Sequence, residues 1–374
     1  MKREIGFPEN LKNLRKKAGF TRNSLAKKLS YSEKSIEKWE SGDATPPLSV
    51  ICTLSEIFCV PLDTLIYKDK KEIRYYLGID GGGTKTAFLL EDRDGKQIAF
   101  CELGSSNPND IGIEACEKIL KSGILEVCQG IDRSCIAVFA GIAGGGLSGD
   151  NSVHIQKILS GFGFGYVDNG SDIDNAIELT LAQNDGITLI AGTGVIAFAV
   201  KGTKRIRCGG WGYLIDSAGS GYNFGRDALE AAFMSIDGRI SHTILKELIE
   251  NHVKIPLPDA IPMIYAGGKR YIASLAPLVF EAAMLGDKCA VEIISRNCEY
   301  IAGMLNRALE NFEDKSIPVV ICGGLANYGD VLDPIIQKHL KYQVDLRFTS
   351  EPMVHGAVSR ARRLSSITTD EKDK

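Results

Sequence analysis

The sequence predicts an all-α head over residues 1–67 followed by an α/β body over residues 75–365. Apolar residues recur at helical spacing in five short segments of the head, whereas strand-like and helical segments alternate through the body. The net charge also differs between the head and the body. Residues 1–71 carry 14 lysines and arginines against 9 acidic residues, and the remainder carries 30 against 38. A basic head on an acidic body indicates that only the head meets nucleic acid.

The composition is that of a folded chain, with 44% hydrophobic and 24% charged residues among 374. No apolar run approaches the roughly 20 residues that span a bilayer. The first ten residues, MKREIGFPEN, lack the apolar core of a signal peptide. We therefore expect the chain to stay in the cytoplasm.

The ten cysteines are scattered without a C-x-x-C pair, and the five histidines are equally dispersed. This pattern predicts free thiols in a reducing compartment and disfavours a structural metal site.

The head has start and stop residues for five helices. Gly19 ends the first, Thr21 and Ser32 can cap the second and third, and Pro46-Pro47 and Pro61 open the fourth and fifth. Short helices joined by tight turns, with the second and third adjacent, form a helix-turn-helix layout.

The runs LRKKAGFT (14–21), SLAKKLSYSEKSIEKWESG (24–42) and VPLDTLI (60–66) resemble the Cro/C1 (XRE) repressor family. This resemblance implies that the third helix enters the major groove of DNA and that a homodimer binds a two-fold site. Arg22 stands where the family often has glutamine, which favours a phosphate contact there. The alternatives are a merely solvated face or a protein-binding bundle. The residues that the resemblance assigns to DNA are Arg22, Ser32, Lys34, Ser35 and Lys38.

Residues 68–74, KDKKEIR, are polar and predict a short linker. The body is predicted to hold two subdomains, about 75–185 and 186–365. The charged tail of residues 366–374 is predicted to be disordered.

The most informative stretch of the body is Leu77–Thr86, LGIDGGGTKT. Two strand-like runs separated by glycines predict a β-hairpin. Successive glycines let backbone N–H groups converge on an anion, and Asp80 before them could hold hydrated Mg²⁺. This pattern is not the Walker sequence, and an ordinary glycine-rich turn is the alternative.

Two further strand-like runs break at Gly192-Thr193-Gly194 and at Gly323-Gly324. Three such breaks in this order resemble the actin, sugar kinase and Hsp70 superfamily. Within it, the body is similar to the BadF/BadG/BcrA/BcrD ATPase family and most closely to its N-acetylglucosamine kinase-like branch. The supporting runs are GIDGGGTKT, SSNPND (105–110), AGTG (191–194), CGGWGYLIDSAGSGYNFGRDAL (208–229), IASLAPLVFEAAMLGD (272–287), ICGGLANYGDVL and HGAVSRA (355–361).

The resemblance implies two ribonuclease H-like (actin-like ATPase) subdomains around a nucleotide cleft, with ATP and Mg²⁺ as cofactors. Asp80 would contact Mg²⁺ through water. The nucleotide and its phosphates would be bound by Gly81, Gly82, Gly83, Thr84, Lys85, Gly192, Thr193, Gly194, Gly323 and Gly324. The substrate would be bound by Asn107, Gly210, Trp211 and Asp216. A simple Asn-Pro turn remains the alternative for Asn107, and a core tryptophan for Trp211.

The candidate general base is Asp172, in the run NGSDIDNAIELTLA, which matches the family's acid at a helix start. An N-cap role is the alternative, because aspartate at a helix start is favoured for backbone reasons alone. Asp168 and Asp174 are neighbours that could be mistaken for the base.

One departure from the kinase branch bears on the substrate. That branch usually shows Gly-Asp-Glu-Gly-Ser-Gly after the tryptophan, and here Ser217 and Ala218 replace the two acids while Asp216 stands one position early. Either Asp216 takes over their role, or the substrate differs.

These observations predict an ATP-dependent sugar or amino-sugar kinase with an attached DNA-binding domain. The alternative is a transcriptional regulator that uses a catalytically silent kinase fold as a sugar or nucleotide sensor. Asp80 and Asp172 favour the enzyme, because a pure sensor need not keep a metal-binding acid and a base.

Overall fold

The computed structural model describes residues 5–67, 72–146, 149–216 and 219–370. The chain divides into two compact units, Met1–Glu72 and Ile73–Lys374, and the division falls inside the predicted linker. Residues 68–71 of that linker lie outside the described residues. Within the described parts of the chain, no helix is long and apolar enough to cross a membrane.

The head consists of helices α1 (Phe7–Lys17), α2 (Arg22–Leu29), α3 (Glu33–Ser41), α4 (Leu48–Phe58) and α5 (Leu62–Ile66). Thr21 and Ser32 accept hydrogen bonds from the backbone N–H groups of Ser24 and Ser35, so both predicted caps are confirmed. The helices bury one shared core: Phe7, Leu11, Leu25, Ala26, Ile36, Trp39, Val50, Leu54 and Leu65.

The first half of the body contains β1 (Tyr75–Gly81), β2 (Lys85–Asp92), β3 (Gln97–Gly104), α6 (Pro108–Ile111), α7 (Ile113–Val127), β4 (Ile136–Ile142), α8 (Asp150–Ser160), β5 (Tyr166–Gly170) and α9 (Asp172–Leu181). Its sheet has the order β3-β2-β1-β4-β5. The first three strands are antiparallel neighbours, and β4 and β5 extend the sheet in parallel on the other side of β1.

The second half contains β6 (Gly186–Ala191), β7 (Val195–Lys201), β8 (Lys204–Cys208), α10 (Gly221–Ile236), α11 (Leu245–Val253), α12 (Ile261–Ser274), α13 (Ala276–Met284), α14 (Lys288–Leu309), β9 (Val319–Cys322), α15 (Gly329–His339), β10 (Leu346–Thr349) and α16 (Val354–Asp370). The sheet order is β10-β9-β6-β7-β8. It again has an antiparallel three-strand meander that two parallel strands extend. The two halves therefore repeat one topology, and the turns β1–β2 and β6–β7 occupy equivalent positions.

Helices α9 and α16 pack against each other between the two sheets. On α9, Ile177 and Leu181 pack against Phe198 of the second sheet. On α16, Ala357 and Ala361 pack against Phe139 of the first sheet. The end of the chain thus returns to the first half, and the residue that starts α9 lies where the halves meet.

Helix α16 ends at Asp370, so residues 366–370 of the predicted tail are helical and the expectation of disorder is wrong for them. Residues 371–374 lie outside the described residues.

Candidate functional site

The two glycine turns close equivalent hairpins. In the first, Gly81 pairs with Thr86 at the end of the ladder, and the N–H of Gly82 donates to the carbonyl of Lys85 at 2.9 Å. In the second, Ala191 pairs with Val195, and the N–H of Gly192 donates to the carbonyl of Gly194 at 2.8 Å. The predicted hairpin is confirmed, and the second hairpin joins its strands by a loop that is one residue shorter, 192–194 against 82–85.

Asp80 is the next-to-last residue of β1, at the mouth of the first turn. Burial raises the pKa of its carboxyl to about 6. A hydrogen bond from Asn175 opposes that rise, whereas the negative charge of Asp172 adds to it. The two carboxylates therefore interact electrostatically, although they belong to different elements, β1 and α9.

Asp172 is the first residue of α9. Burial raises the pKa of this carboxyl too, backbone N–H groups oppose the rise, and the charge of Asp174 adds to it. Ser171 is the N-cap residue, and it forms a capping box with Asp174. The alternative that Asp172 serves as the N-cap is therefore wrong, and its side chain faces a pocket instead.

The two neighbouring acids are placed differently. Asp174 is fully buried, accepts the N–H of Ser171 at 2.8 Å, and forms ion pairs with Arg205 and Arg360. Asp168 lies within β5 and does not line the pocket. Asp172 is thus the member of the trio that lines the pocket.

That pocket has a volume of about 330 Å³. It brings Asp172 together with the second glycine turn and with two residues predicted to bind substrate. Its polar and turn-forming lining is Asp172, Gly192, Thr193, Gly194, Gly210, Gly212, Tyr213, Asp216, Ser220 and Lys269.

The loop after β8 holds Trp211 at the surface, with 63% of its area exposed, so the alternative of a core tryptophan is wrong. The guanidinium of Arg207 lies 4.2 Å from the centre of the indole ring. The backbone N–H of Trp211 donates a hydrogen bond to the carboxylate of Asp216 at 3.0 Å, and this bond helps to define the conformation of the loop. Ser217 and Ala218 lie outside the described residues.

Asn107 caps the short helix α6. Its Oδ1 accepts the N–H of Asn109 at 3.1 Å, and its Nδ2 donates to Asp110 at 2.8 Å. A Cβ placed on Gly83 would lie 3.0 Å from Asp110 Oδ2, so this polar cluster adjoins the first glycine turn. Asn107 is thus the N-cap of a short helix, and its contact with substrate stays a prediction.

The remaining predicted phosphate ligands lie in or beside the turns. Thr84 and Thr193 are exposed at the tips, and Lys85 pairs with Glu102 at 2.6 Å on the outer side of the hairpin. Gly323 follows β9 with φ +96°, and a Cβ there would lie 2.7 Å from the carbonyl oxygen of Ala191. Only glycine fits at this position, and Gly324 then opens a 3₁₀ helix.

The donor set suits Mg²⁺ held through water. Within the described residues no three His, Cys, Asp or Glu side chains converge on one point. Mg²⁺ commonly uses one or two carboxylates and completes its shell with water and substrate phosphates. Asp80, with Asp172 near it, offers that kind of oxygen-only site.

Sequence reasoning missed Asn175, Lys269 and Arg270. Asn175 lies one turn along the helix from Asp172, and only the fold shows that it reaches Asp80. Lys269 and Arg270 follow a Gly-Gly pair in α12, a detectable helix-breaking signal.

In the head, Lys34 and Lys38 are exposed on α3, and the hydroxyls of Ser32 and Ser35 bond each other at 2.8 Å. Arg22 Nε donates to Glu40 at 2.9 Å, so this side chain supports the helix bundle. The DNA contacts of all these residues stay predictions.

Three comparisons place the chain among known proteins. It is 31% identical over 265 residues to an N-acetylmuramic acid/N-acetylglucosamine kinase of Clostridium acetobutylicum. The aligned region covers 68% of this chain and 86% of that protein. A solved structure named as a proposed N-acetylglucosamine kinase of Chromobacterium violaceum aligns with a TM-score of 0.58 and 26% identity, over 77% of this chain and 99% of that one. A ROK family transcriptional regulator, a homologue of the E. coli MLC protein, shares the fold with a TM-score of 0.55 and 13% identity, over 96% of this chain and 95% of that one.

Two family models match. Residues 11–65 match a helix-turn-helix family, which agrees with the five helices of the head. Residues 77–358 match the second model, a span that begins before the first glycine turn and ends in α16. The chain therefore belongs to the BadF/BadG/BcrA/BcrD ATPase family and carries a helix-turn-helix domain at its N-terminal end.

Proposed function

We propose that the body is an ATP-dependent kinase that phosphorylates a hydroxyl of a sugar or amino sugar, and that the head binds DNA as a homodimer and makes transcription respond to that sugar. The observation that carries the proposal is the pocket in which Asp172 meets the second glycine turn, on the helix whose Asn175 donates a hydrogen bond to Asp80.

Each part has a task in phosphoryl transfer, which depends on positioning and charge stabilisation. The glycine turns at 81–83 and 192–194 would hold the phosphates through backbone N–H groups, and Gly323-Gly324 would lie against the adenosine. When bound, Mg²⁺ supplies neutralising charge at the phosphates, and Asp80 would orient its water shell. Asp172 would accept the proton of the sugar hydroxyl. Its raised pKa brings it nearer to neutral pH, where a general base works well.

The names of the relatives support an amino sugar as the substrate class. Asn107, Trp211 and Asp216 are the side chains proposed to contact it. Because Ser217 and Ala218 replace two acids that the kinase branch uses, we propose that the preferred sugar differs from N-acetylglucosamine or that Asp216 substitutes for the missing acids.

The experiment is ADP release by the full chain with Mg-ATP and a panel of glucose, glucosamine, N-acetylglucosamine and N-acetylmuramic acid. Asp172→Asn should lower the sugar-dependent rate by about 10²- to 10⁴-fold, the usual contribution of a general base. The matched control is Asp259→Asn, an exposed acid in the first turn of the 3₁₀ helix Leu257–Ala260, which should leave the rate unchanged. If no sugar raises ADP release above the sugar-free rate, the kinase proposal is wrong.

The second candidate, a regulator with a silent kinase fold, is favoured by the head and by the missing acid pair. It predicts a sugar-dependent change in DNA affinity without turnover. Measuring DNA binding with and without each sugar, in the absence of ATP and in its presence, separates the two functions.

A further inference from the structure

Helix α12 is broken in its second half. Gly268 has φ +56° and ψ −151°, which is outside the helical region and open to glycine rather than to other residues. Gly267 precedes it, and Lys269 and Arg270 follow it directly. The break separates two cationic side chains from the first part of the helix and places them beside the cleft.

Lys269 lies beside the second glycine turn. It lines the pocket that contains Asp172 and Thr193, and its Nζ would lie 3.7 Å from a Cβ placed on Gly194. The same ammonium lies 5.4 Å from the centre of the Tyr213 ring. Among the described residues it has no ion pair with a carboxylate. A half-buried ammonium in a pocket with backbone N–H groups is a site for a ligand anion.

Arg270 lies beside the first glycine turn. One of its guanidinium nitrogens donates to the carbonyl of Gly83, and a Cβ on Gly83 would lie 3.4 Å from the same nitrogen. Asp110 Oδ2 is the other group near that position, at 3.0 Å. The carbonyl contact joins the second half of the body to the first across the mouth of the cleft.

Two consecutive residues therefore reach the two turns that carry the predicted phosphate contacts. We propose that Lys269 and Arg270 form a clamp on the nucleotide, in which Lys269 binds the terminal phosphates and Arg270 positions the first glycine turn over them. This clamp rests on the proposed nucleotide use, but not on the identity of the sugar or on turnover. Neither residue belongs to the glycine runs from which the nucleotide site was predicted.

The test is calorimetric binding of Mg-ATP, Mg-ADP, pyrophosphate and adenosine to the full chain. Lys269→Ala should weaken ATP binding about 10- to 100-fold, the range for loss of a charge-assisted hydrogen bond. The loss should be smaller for ADP and absent for adenosine, because the lysine contacts phosphate alone. Lys269→Arg should keep most of the affinity. Lys338→Ala, an exposed lysine on α15 outside the cleft, should bind all four compounds like the wild type.

Arg270→Ala acts differently, because Arg270 contacts a backbone carbonyl. It should weaken ATP binding and, in the presence of ATP, increase amide hydrogen exchange in residues 81–84. A merely structural role would raise exchange there equally with and without ATP, and this would overturn its part in the clamp.

Equal ATP affinity in Lys269→Ala and the wild type, or an equal loss for ATP and adenosine, would overturn the clamp. If the wild type binds none of the four compounds, the clamp falls together with nucleotide use. If the wild type binds ATP but phosphorylates no sugar, the kinase proposal fails. The losses of ATP and adenosine affinity in Lys269→Ala relative to the wild type still test the clamp.

Discussion

Asn175 Nδ2 donates a hydrogen bond to Asp80 Oδ1 at 2.7 Å, and this bond joins the second turn of α9 to the end of β1. The same amide lies 3.2 Å from the carbonyl of Gly141 at the end of β4. One fully buried side chain thus fixes the metal-binding candidate to the helix that starts with Asp172. The geometry of the two acids depends on this contact.

Asn175→Ala should raise the Mg²⁺ concentration needed for half-maximal ADP release by about tenfold, the effect of losing one hydrogen bond to a charged group. In the wild type this hydrogen bond favours the ionised form of Asp80. Burial already raises the pKa of Asp80 to about 6. Without the bond this pKa rises further. Activity that requires the carboxylate should then fall at a higher pH on the acid side of the profile. A Mg²⁺ titration repeated between pH 5.5 and pH 8 measures both effects.

Thr180→Val is the control on the same helix. The Thr180 hydroxyl bonds Thr188 at 2.6 Å and does not contact Asp80, so this variant should lose stability without changing the Mg²⁺ requirement. An equal rise in both variants would mean that Asn175 acts only through folding.

The sequence pattern predicts the hairpins and the helices well because their signals are local. Glycines between apolar runs define the turns at 81–83 and 192–194, and hydroxyl caps define α2 and α3. The difference between the surroundings of Asp172 and those of Asp174 could not be predicted locally. It arises because the carboxylate of Asp174 accepts hydrogen bonds from Arg205 and Arg360, which lie 31 and 186 residues away in the sequence.

The ion-pair partners of two residues assigned from the family pattern could not be predicted from the sequence. Lys85 falls in the glycine motif, yet its ammonium pairs with Glu102 on the neighbouring strand β3. Arg22 is assigned to DNA by position, yet Glu40 holds it. In both cases the partner is a carboxylate that approaches only when the chain folds.

Glu40→Gln should destabilise the head by about 3–5 kcal/mol, the usual cost of leaving a buried ion pair with one partner. Glu40 accepts hydrogen bonds from Arg15 at 2.5 Å and from Arg22 at 2.9 Å. Denaturant unfolding followed by the fluorescence of Trp39 measures the effect, in a Trp211→Phe background so that only the head reports.

Glu37→Gln is the matched control, because Glu37 is exposed on the same helix and only 3.9 Å from Arg22. It should change stability by less than about 1 kcal/mol. Burial alone would raise the pKa of Glu40, but its hydrogen bonds with Arg15 and Arg22 outweigh burial and lower it. The stabilisation is therefore present above the unfolded-state pKa and is lost as the pH falls through the folded-state pKa. A head stability that does not change over that acidic range in the wild type would contradict this assignment.

Lys34→Ala and Lys38→Ala should each weaken binding to non-specific duplex DNA and reduce the slope of log affinity against log salt by about one unit. Both lysines are exposed on α3, where a phosphate contact needs no rearrangement. Fluorescence anisotropy at four salt concentrations gives the slope. Lys118→Ala, on the exposed side of α7 in the body, should keep the wild-type slope. Identical slopes in all four proteins would place the DNA contacts elsewhere.

Gly323→Ala and Gly324→Ala test two roles of the third glycine break, Gly323-Gly324, separately. One role is the backbone conformation that only glycine adopts easily, and the other is the proposed contact with adenosine. At Gly323 the left-handed backbone disfavours any side chain by about 1–2 kcal/mol, and the new methyl would also press on the Ala191 carbonyl before the second turn. We expect a lower melting temperature and weaker ATP binding. At Gly324 the added methyl meets nothing within 4 Å, so stability should be unchanged.

Any loss of ATP and adenosine affinity in Gly324→Ala then reports on the adenosine contact alone, because the fold is intact. Differential scanning calorimetry and calorimetric titration with adenosine measure the two effects separately. A Gly323→Ala variant as stable as Gly324→Ala would show that β9 can move away from Ala191, and the close approach of the third loop to the second turn would not be required by the fold.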